Sequence, residues 1–172
     1  GVAAFTLVLA SQMYNRAGVR AMSESLSADS SAVGWYLKDD ARNRSSALIP
    51  IALSPELRTQ LQKITPEAKI PRDARDAALK ALTKLNNEVP PDLAFDALWA
   101  VDGNGRVIAA IGIVHSDDWE LGGYPVVADA LHGWIRDDGW IWKGRILRVV
   151  ARPVEAEVNG EPVGAVIGAK YV

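Results

Sequence analysis

Two short segments carry the strongest signals for a reversal of chain direction. Asp102-Gly103-Asn104-Gly105 lies between two apolar runs, and Asn159-Gly160 lies between two more. Asn and Gly tolerate the positive φ values that tight hairpin turns need. Strands joined by so short a turn are antiparallel, because a parallel crossover needs a dozen or more residues. The sequence therefore predicts an antiparallel sheet.

The rest of the pattern adds helices. Apolar residues recur at helical spacing from residue 2 to about residue 48, and Ser54-Pro55-Glu56 has the N-cap, the proline and the acid that begin a helix. The other predicted segments are a second helix from Ser54 to about Ile64, a third from Arg72 to Asn86, strands over 94–101 and 106–114, a short helix over 124–132, a Trp-rich loop or short strand over 133–143, and strands over 145–154 and 163–172. The predicted fold class is α+β: a long N-terminal helix and two further helices, followed by an antiparallel β-sheet built from two hairpins with an intervening short helix.

Charge and cysteine content exclude several functional classes. The 172 residues have a formal net charge of −2, which gives no sign of the basic surface that binds nucleic acid. The sequence has no cysteine, so thiol catalysis and cysteine-based zinc sites are excluded. The two histidines lack metal-ligand spacing, and no serine has the context of a nucleophile elbow. We expect no metal, no cofactor and no nucleic-acid partner.

The chain opens with an apolar stretch that has no charge before Arg16. This stretch is shorter than the ~20 apolar residues that span a bilayer. It is either the outer end of a transmembrane helix or an apolar helix that packs on a partner. The narrow apolar stripe over residues 2–45 favours a homodimer through this helix. We divide the chain into an N-terminal signalling and dimerisation helix, residues 1–48, and a second domain, residues 49–172.

Three parts of the sequence together resemble one family. They are the run from Leu48 to Leu57, the hairpin from Asp96 to Val107, and the closing segments Ala151–Val154 and Val163–Gly168. In this order they are similar to the single-Cache, PAS-like sensor domains of bacterial signal-transduction receptors. The resemblance implies an extracytoplasmic, periplasmic ligand-binding domain of a histidine kinase, chemoreceptor or cyclase. It also implies a pocket on one face of the sheet and membrane helices on both sides of this segment.

Aromatic and charged residues concentrate between residues 115 and 142. Rings with a few charged groups suit a pocket that encloses a small organic molecule. The candidate ligand-binding residues are Trp119, Tyr124, His132, Trp134, Arg136, Trp140 and, on the next strand, Arg148. Arg148 suits a ligand carboxylate. A cationic ligand would instead use the rings with one of the nearby acids, Asp117, Asp118, Asp137 or Asp138.

Other interpretations stay open. The rings can close the core over the sheet, and Arg148 can pair with an acid of the protein such as Glu155. A hydrolase would use His132 or His115 in the same segment. A ligand-free module would only dimerise. The leading prediction is a ligand-binding sensory domain that is not an enzyme.

Overall fold

The computed structural model describes residues 23–115 and 119–172. The chain divides into two compact units, Gly1–Arg42 and Asn43–Val172. Helix α1, Ser23–Ala47, confirms the described part of the predicted long helix, while residues 2–22 of that prediction lie outside the described residues. The division after residue 48 stays a prediction. None of the helices described in residues 23–115 and 119–172 is both long and apolar enough to cross a membrane.

Three short helices follow α1 before the sheet begins. They are α2 (Ile49–Ala52), α3 (Pro55–Gln62) and α4 (Arg72–Glu88). Ser54 caps α3 as predicted, because its Oγ accepts a hydrogen bond from the Leu57 N–H at 3.2 Å. Such a cap stabilises a helix by about 1 kcal/mol.

Five strands form one sheet in which every neighbouring pair is antiparallel. The strands are β1 (Ala97–Asp102), β2 (Val107–Ile111), β3 (Arg136–Trp142), β4 (Arg145–Glu155) and β5 (Pro162–Tyr171), with helix α5 (Pro125–Leu131) between β2 and β3 in the chain. Their order in space is β2-β1-β5-β4-β3. The α+β class and the antiparallel sheet are therefore confirmed.

Strands β3 and β4 form a hairpin that the sequence did not predict. Lys143 and Gly144 separate the paired residues Trp142 and Arg145, and their φ values are 49° and 77°. Two positive φ values are typical of a type I′ turn, for which Asn-Gly is the usual sequence. Lys-Gly is a weaker signal, so the segment 133–143 was ambiguous between a loop and a strand.

The sheet separates two hydrophobic cores, because side chains alternate between its faces. The helix face carries Leu98 and Val150, and the aromatic face carries Trp99 and Leu147. The helix face packs on a core that includes Leu48, Ile51, Leu57, Leu61, Leu82 and Phe95. The aromatic face packs on a core that includes Val126, Val127 and Ala130 of α5. Each large apolar side chain buried here contributes about 1.5–3 kcal/mol.

Gly168 lets an aromatic ring approach the middle of the sheet. It lies on β5, between Leu98 of β1 and Val150 of β4. A Cβ at this position would lie 2.5 Å from Cδ1 of Phe95, a ring that is itself buried. The helix-side core therefore requires glycine here.

Two arginines lie on the helix face of β4, as their alternation with Val150 predicts. Arg152 donates from Nε to the backbone oxygen of Ser45 at 2.7 Å. Burial lowers the pKa of Arg152 below its ordinary value. The other arginine, Arg148, forms an ion pair described below.

Candidate ligand-binding site

A cavity of about 510 Å³ opens on the aromatic face of the sheet. Residues of β1, β3 and β4 line it, together with five residues of the chain between β2 and α5. The residues that line it are Trp99, Ile113, His115, Trp119, Leu121, Tyr124, Asp138, Gly139, Trp140, Ile141, Trp142 and Leu147. We call this space the aromatic cavity. Its volume falls in the range of small-molecule sites.

Five aromatic side chains of this lining form one connected cluster. Trp99 is at its centre, with ring centroids 5.9 Å from both Trp119 and Trp140. The Tyr124 ring lies 4.4 Å from Trp140, and the Trp142 ring lies 6.4 Å from Trp119. Aromatic pairs at such separations stabilise one another by about 0.5–1.5 kcal/mol beyond their buried area. The rings therefore form a continuous wall.

The central ring of the cluster is held by the backbone. Trp99 is buried, and its indole Nε1 donates to the backbone oxygen of Ile113 at 2.9 Å. This bond ties the segment after β2 to β1. A buried indole N–H normally needs such a partner. The bond fixes the indole orientation, so this part of the lining has a defined shape.

One carboxylate and one imidazole lie among the described lining residues. Asp138 lies on β3 at the same alternation as Trp140 and Trp142, and its Oδ1 accepts a hydrogen bond from the Gly139 N–H at 2.8 Å. His115 lies at the other side, with its ring 5.2 Å from that of Trp119. The described lining thus combines apolar rings with one carboxylate and one imidazole.

The β1–β2 hairpin holds residues 119–121, which contribute Trp119 and Leu121 to the cavity lining. Val107 N–H donates to the Trp119 oxygen at 2.9 Å, and Leu121 N–H donates to the Gly105 oxygen at 2.8 Å. Gly105 has a φ of 87°, and a Cβ on it would lie 2.6 Å from the nitrogen of Gly122. Two backbones therefore meet where no side chain fits, and the segment is held against the hairpin.

Three of the predicted ligand-binding residues line this cavity: Trp119, Tyr124 and Trp140. They come from two separate elements, the segment before α5 and the strand β3. These elements are separated in the sequence, and the fold of the sheet brings them together.

The other four predicted residues lie outside the cavity lining. His132 follows α5, with its Nδ1 2.7 Å from the Ala128 oxygen, and Trp134 is exposed. Arg136 forms an ion pair with Asp129 at 2.6 Å, and this hydrogen bond raises the pKa of Arg136.

Arg148 lies on the helix face, whereas the cavity opens on the aromatic face. Its guanidinium forms an ion pair with Asp137 at 3.1 Å. Asp137 belongs to β3, opposite Val150 in the register, so both partners share the helix face. An acid of the protein thus holds Arg148, and that acid is Asp137 rather than Glu155.

Nine of the twelve lining residues are not among the predicted ligand-binding residues, and these nine include two tryptophans and the one carboxylate. The sequence places Trp99 in a predicted strand, Trp142 in the Trp-rich segment, and Asp138 among four candidate acids for a cationic ligand. Strand alternation through Trp140 would have selected Asp138 and Trp142, had β3 been recognised as a strand.

A groove between α3 and α4 has a similar volume, about 530 Å³. It is lined by no aromatic residue, and its charged residues are Glu56, Lys80 and Lys84. Within residues 23–115 and 119–172, no group of three or more His, Asp or Glu side chains is placed to hold a metal ion. The aromatic cavity is therefore the better candidate for a small organic ligand.

No family model matches the sequence, and no curated protein matches it. Solved structures of bacterial sensors do have a similar fold. The sensor domain of the V. cholerae histidine kinase DctB superposes with a TM-score of 0.65 at 13% identity, over 89% of this chain and 57% of that one. The ligand-binding domain of the Campylobacter jejuni chemoreceptor Tlp3, in complex with 4-methylisoleucine, gives a TM-score of 0.58 at 12% identity, over 89% and 58%.

The sensor domain of E. coli DcuS gives a TM-score of 0.50 at 18% identity, over 78% of this chain and 90% of that one. The chain therefore spans somewhat more than half of the DctB and Tlp3 domains and most of the DcuS domain. Its fold is that of Cache-type, PAS-like sensor domains, as the resemblance in the sequence implied.

Proposed function

We propose that this chain is the ligand-binding sensory domain of a bacterial membrane signalling protein. The observation that carries the proposal is the aromatic cavity, a space of about 510 Å³ walled by five rings on one face of the sheet. Sites that enclose small organic molecules combine apolar walls with a few polar groups. The cavity has this composition, and structures with a similar fold are sensor and ligand-binding domains.

Binding rather than catalysis suits the residues of the cavity. Among its described lining residues, the groups able to take part in proton transfer are His115, Asp138 and Tyr124, and none is a serine, threonine or lysine nucleophile. His132, the other candidate for a hydrolase, lies outside the lining. The aromatic walls supply contact surface for a ligand and no reactive group. We therefore propose a receptor role and not an enzyme.

A thermal-shift screen against small organic acids, amines, amino acids and alcohols tests this proposal. A ligand that binds the folded state raises the melting temperature, because it stabilises that state by an amount that grows with the logarithm of its concentration over Kd. For any compound that binds, Trp140→Ala should weaken binding by roughly tenfold or more, because it removes one wall of the cavity.

Trp134→Ala is the matched control. It removes an exposed tryptophan outside the cavity and should leave affinity unchanged. Circular dichroism of both variants checks that the sheet is retained. Equal effects of the two substitutions on affinity, or no stabilising compound in any class, would contradict the proposal.

We further propose that α1 mediates homodimerisation and carries the signal. Trp35 and Tyr36 lie on this helix with 68% and 61% of their surfaces exposed. Large exposed rings of this kind are typical of contact surfaces between proteins. Trp35→Ala in the full chain should shift sedimentation from dimer towards monomer, while Trp134→Ala should not. If the unsubstituted chain sediments as a monomer, the dimerisation proposal is refuted.

The proposed location is extracytoplasmic, with the anchoring helices outside this segment. These 172 residues contain no cysteine, so a single introduced cysteine can be compared with the unsubstituted receptor in a labelling test. Val158 is 79% exposed beside the β4–β5 turn, so Val158→Cys should provide an accessible thiol. In whole cells that produce the intact receptor, a membrane-impermeant maleimide should label this cysteine. Labelling only after lysis would place the domain inside the cell instead.

A further inference from the structure

We propose that the aromatic cavity selects an organic cation with a compact ammonium group over carboxylate ligands. The proposal rests on the ligand-binding function given above and names the chemical class of the ligand. It follows from three features of the cavity: the signs of its charges, the nature of its walls and the position of Asp138.

The charges of the lining favour a cation. Asp138 is the one carboxylate among the described lining residues, and none of those residues is lysine or arginine. A ligand carboxylate would enter an apolar space beside a like charge, and an uncompensated charge is costly to bury. A ligand cation would instead meet an opposite charge there.

Two arginines close to Asp138 in the sequence, Arg136 and Arg148, have other partners. Arg136 shares the aromatic face with Asp138, but Asp129 holds its guanidinium at 2.6 Å. Arg148 lies on the helix face and pairs with Asp137 at 3.1 Å. Neither is placed to receive a ligand carboxylate inside the cavity.

The two cations at the β3–β4 turn each lie over an aromatic ring. Lys143 Nζ lies 5.7 Å from the centroid of Trp142, and the Arg145 guanidinium lies 3.7 Å from the centroid of Tyr171. Neither residue is part of the cavity lining. A ring of the cavity wall is thus already close to a cation, which is the kind of contact proposed for the ligand.

The walls of the cavity are of the type that binds ammonium groups. The faces of tryptophan and tyrosine rings carry partial negative charge, and cations within about 6 Å of a ring centroid are attracted to them. Four tryptophans and one tyrosine of the lining lie within 6.4 Å of a neighbour in the cluster. A cation in this space would contact several faces at once.

Asp138 lies where its carboxylate can face a cation that is held by the aromatic rings. Residues 138, 140 and 142 alternate onto the same face of β3, which places the carboxylate in line with the rings of Trp140 and Trp142. Gly139 N–H holds one carboxylate oxygen, Oδ1, at 2.8 Å, and this bond limits the rotation of the side chain. The carboxylate is therefore set beside the aromatic walls before any ligand arrives.

Calorimetric titration of the full chain with choline and with its neutral carbon analogue tests the inference. The analogue has a quaternary carbon in place of the nitrogen, so the two probes share a shape and differ in charge. Choline should bind saturably and roughly tenfold or more tightly than the analogue, as a desolvated cation–π site predicts. Equal affinities for the two probes would overturn the cation assignment.

Asp138→Asn and Asp137→Asn form a matched pair of variants, since adjacent residues of β3 face opposite sides of the sheet. Asp138→Asn should weaken choline binding by roughly tenfold and leave the neutral analogue unaffected. Asp137→Asn should change neither. Equal losses in both variants would refute the role of Asp138, and their melting temperatures show whether either has lost its fold.

Titrations with succinate and propionate, which carry carboxylates and no ammonium group, separate this inference from the function on which it rests. If either binds in the cavity more tightly than choline, with loss of binding in Trp140→Ala, the domain is a ligand-binding receptor but the cation assignment is wrong. If choline, its analogue, succinate and propionate all fail to bind at millimolar concentrations, and the wider screen also yields nothing, both proposals fall.

Discussion

The carboxylate of Asp102 is expected to be a principal stabilising group of the β1–β2 hairpin. Its side chain is only 4% exposed, and it lies in the turn whose Gly105 packs against Gly122. Its Oδ1 accepts hydrogen bonds from the N–H groups of Asn104 and Arg106, both at 2.9 Å. Its Oδ2 accepts from Arg106 Nε at 2.7 Å. The perturbation to test is Asp102→Ala.

The expected loss of stability depends on the groups that lose their carboxylate partner in Asp102→Ala. Breaking a buried ion pair costs about 3–5 kcal/mol, because one charge stays desolvated. Arg106 remains 20% exposed and keeps hydrogen bonds to the backbone oxygens of Ala68 and Thr65, so its charge stays partly compensated. We therefore expect the free energy of unfolding to fall by about 3 kcal/mol, at the lower end of this range.

Urea unfolding followed by circular dichroism measures this loss. Asp102→Asn keeps an oxygen for the two backbone N–H groups and loses the charge, so it should cost less, about 1–2 kcal/mol. Asp92→Ala, at an exposed position, should cost less than about 0.5 kcal/mol. If Asp102→Ala were no more destabilising than Asp92→Ala, the reasoning about this turn would be wrong.

Two further substitutions test the two faces of the sheet. Gly168→Ala should lower the free energy of unfolding by about 1–3 kcal/mol, because the new methyl group overlaps the Phe95 ring. Gly123→Ala is the control and should have no such effect, since no atom lies within 4 Å of its added Cβ. Equal melting temperatures of the two variants would contradict this packing. Arg148→Ala should lower stability by about 1 kcal/mol through the lost contact with Asp137, and leave the affinity of any ligand unchanged because it lies on the helix face. A large loss of ligand affinity in calorimetry would show instead that Arg148 takes part in ligand binding.

Local turn and cap chemistry could be read from the sequence because it depends on few residues. The turn at 102–105 and the one at Asn159 follow from residues that tolerate positive φ, and both hairpins are present. The cap at Ser54 depends only on its own hydroxyl and a nearby N–H. From these signals alone, the antiparallel sheet and the start of α3 were predictable.

Features that depend on distant contacts could not be predicted in the same way. Strand β3 is held by its pairing with β4 across a Lys143-Gly144 turn, which has a weak signal in the sequence. Alternation showed that Arg148 and Val150 share a face, but not which face would bear the cavity. Which face bears the cavity depends on the elements that cover each side of the sheet. As a result, Asp138 and not Arg148 is among the residues that line the aromatic cavity.

The indole N–H resonances of the chain provide the most direct test of the central claim that the aromatic cavity binds the ligand. The sequence has six tryptophans, of which Trp99, Trp119, Trp140 and Trp142 line the cavity. The other two, Trp35 and Trp134, are exposed and lie outside its lining. In a nitrogen–proton correlation spectrum titrated with a stabilising ligand, we expect the four cavity indole signals to shift and the other two to keep their positions. Shifts confined to Trp35 and Trp134, or stabilisation without any change in the four cavity indoles, would contradict this claim.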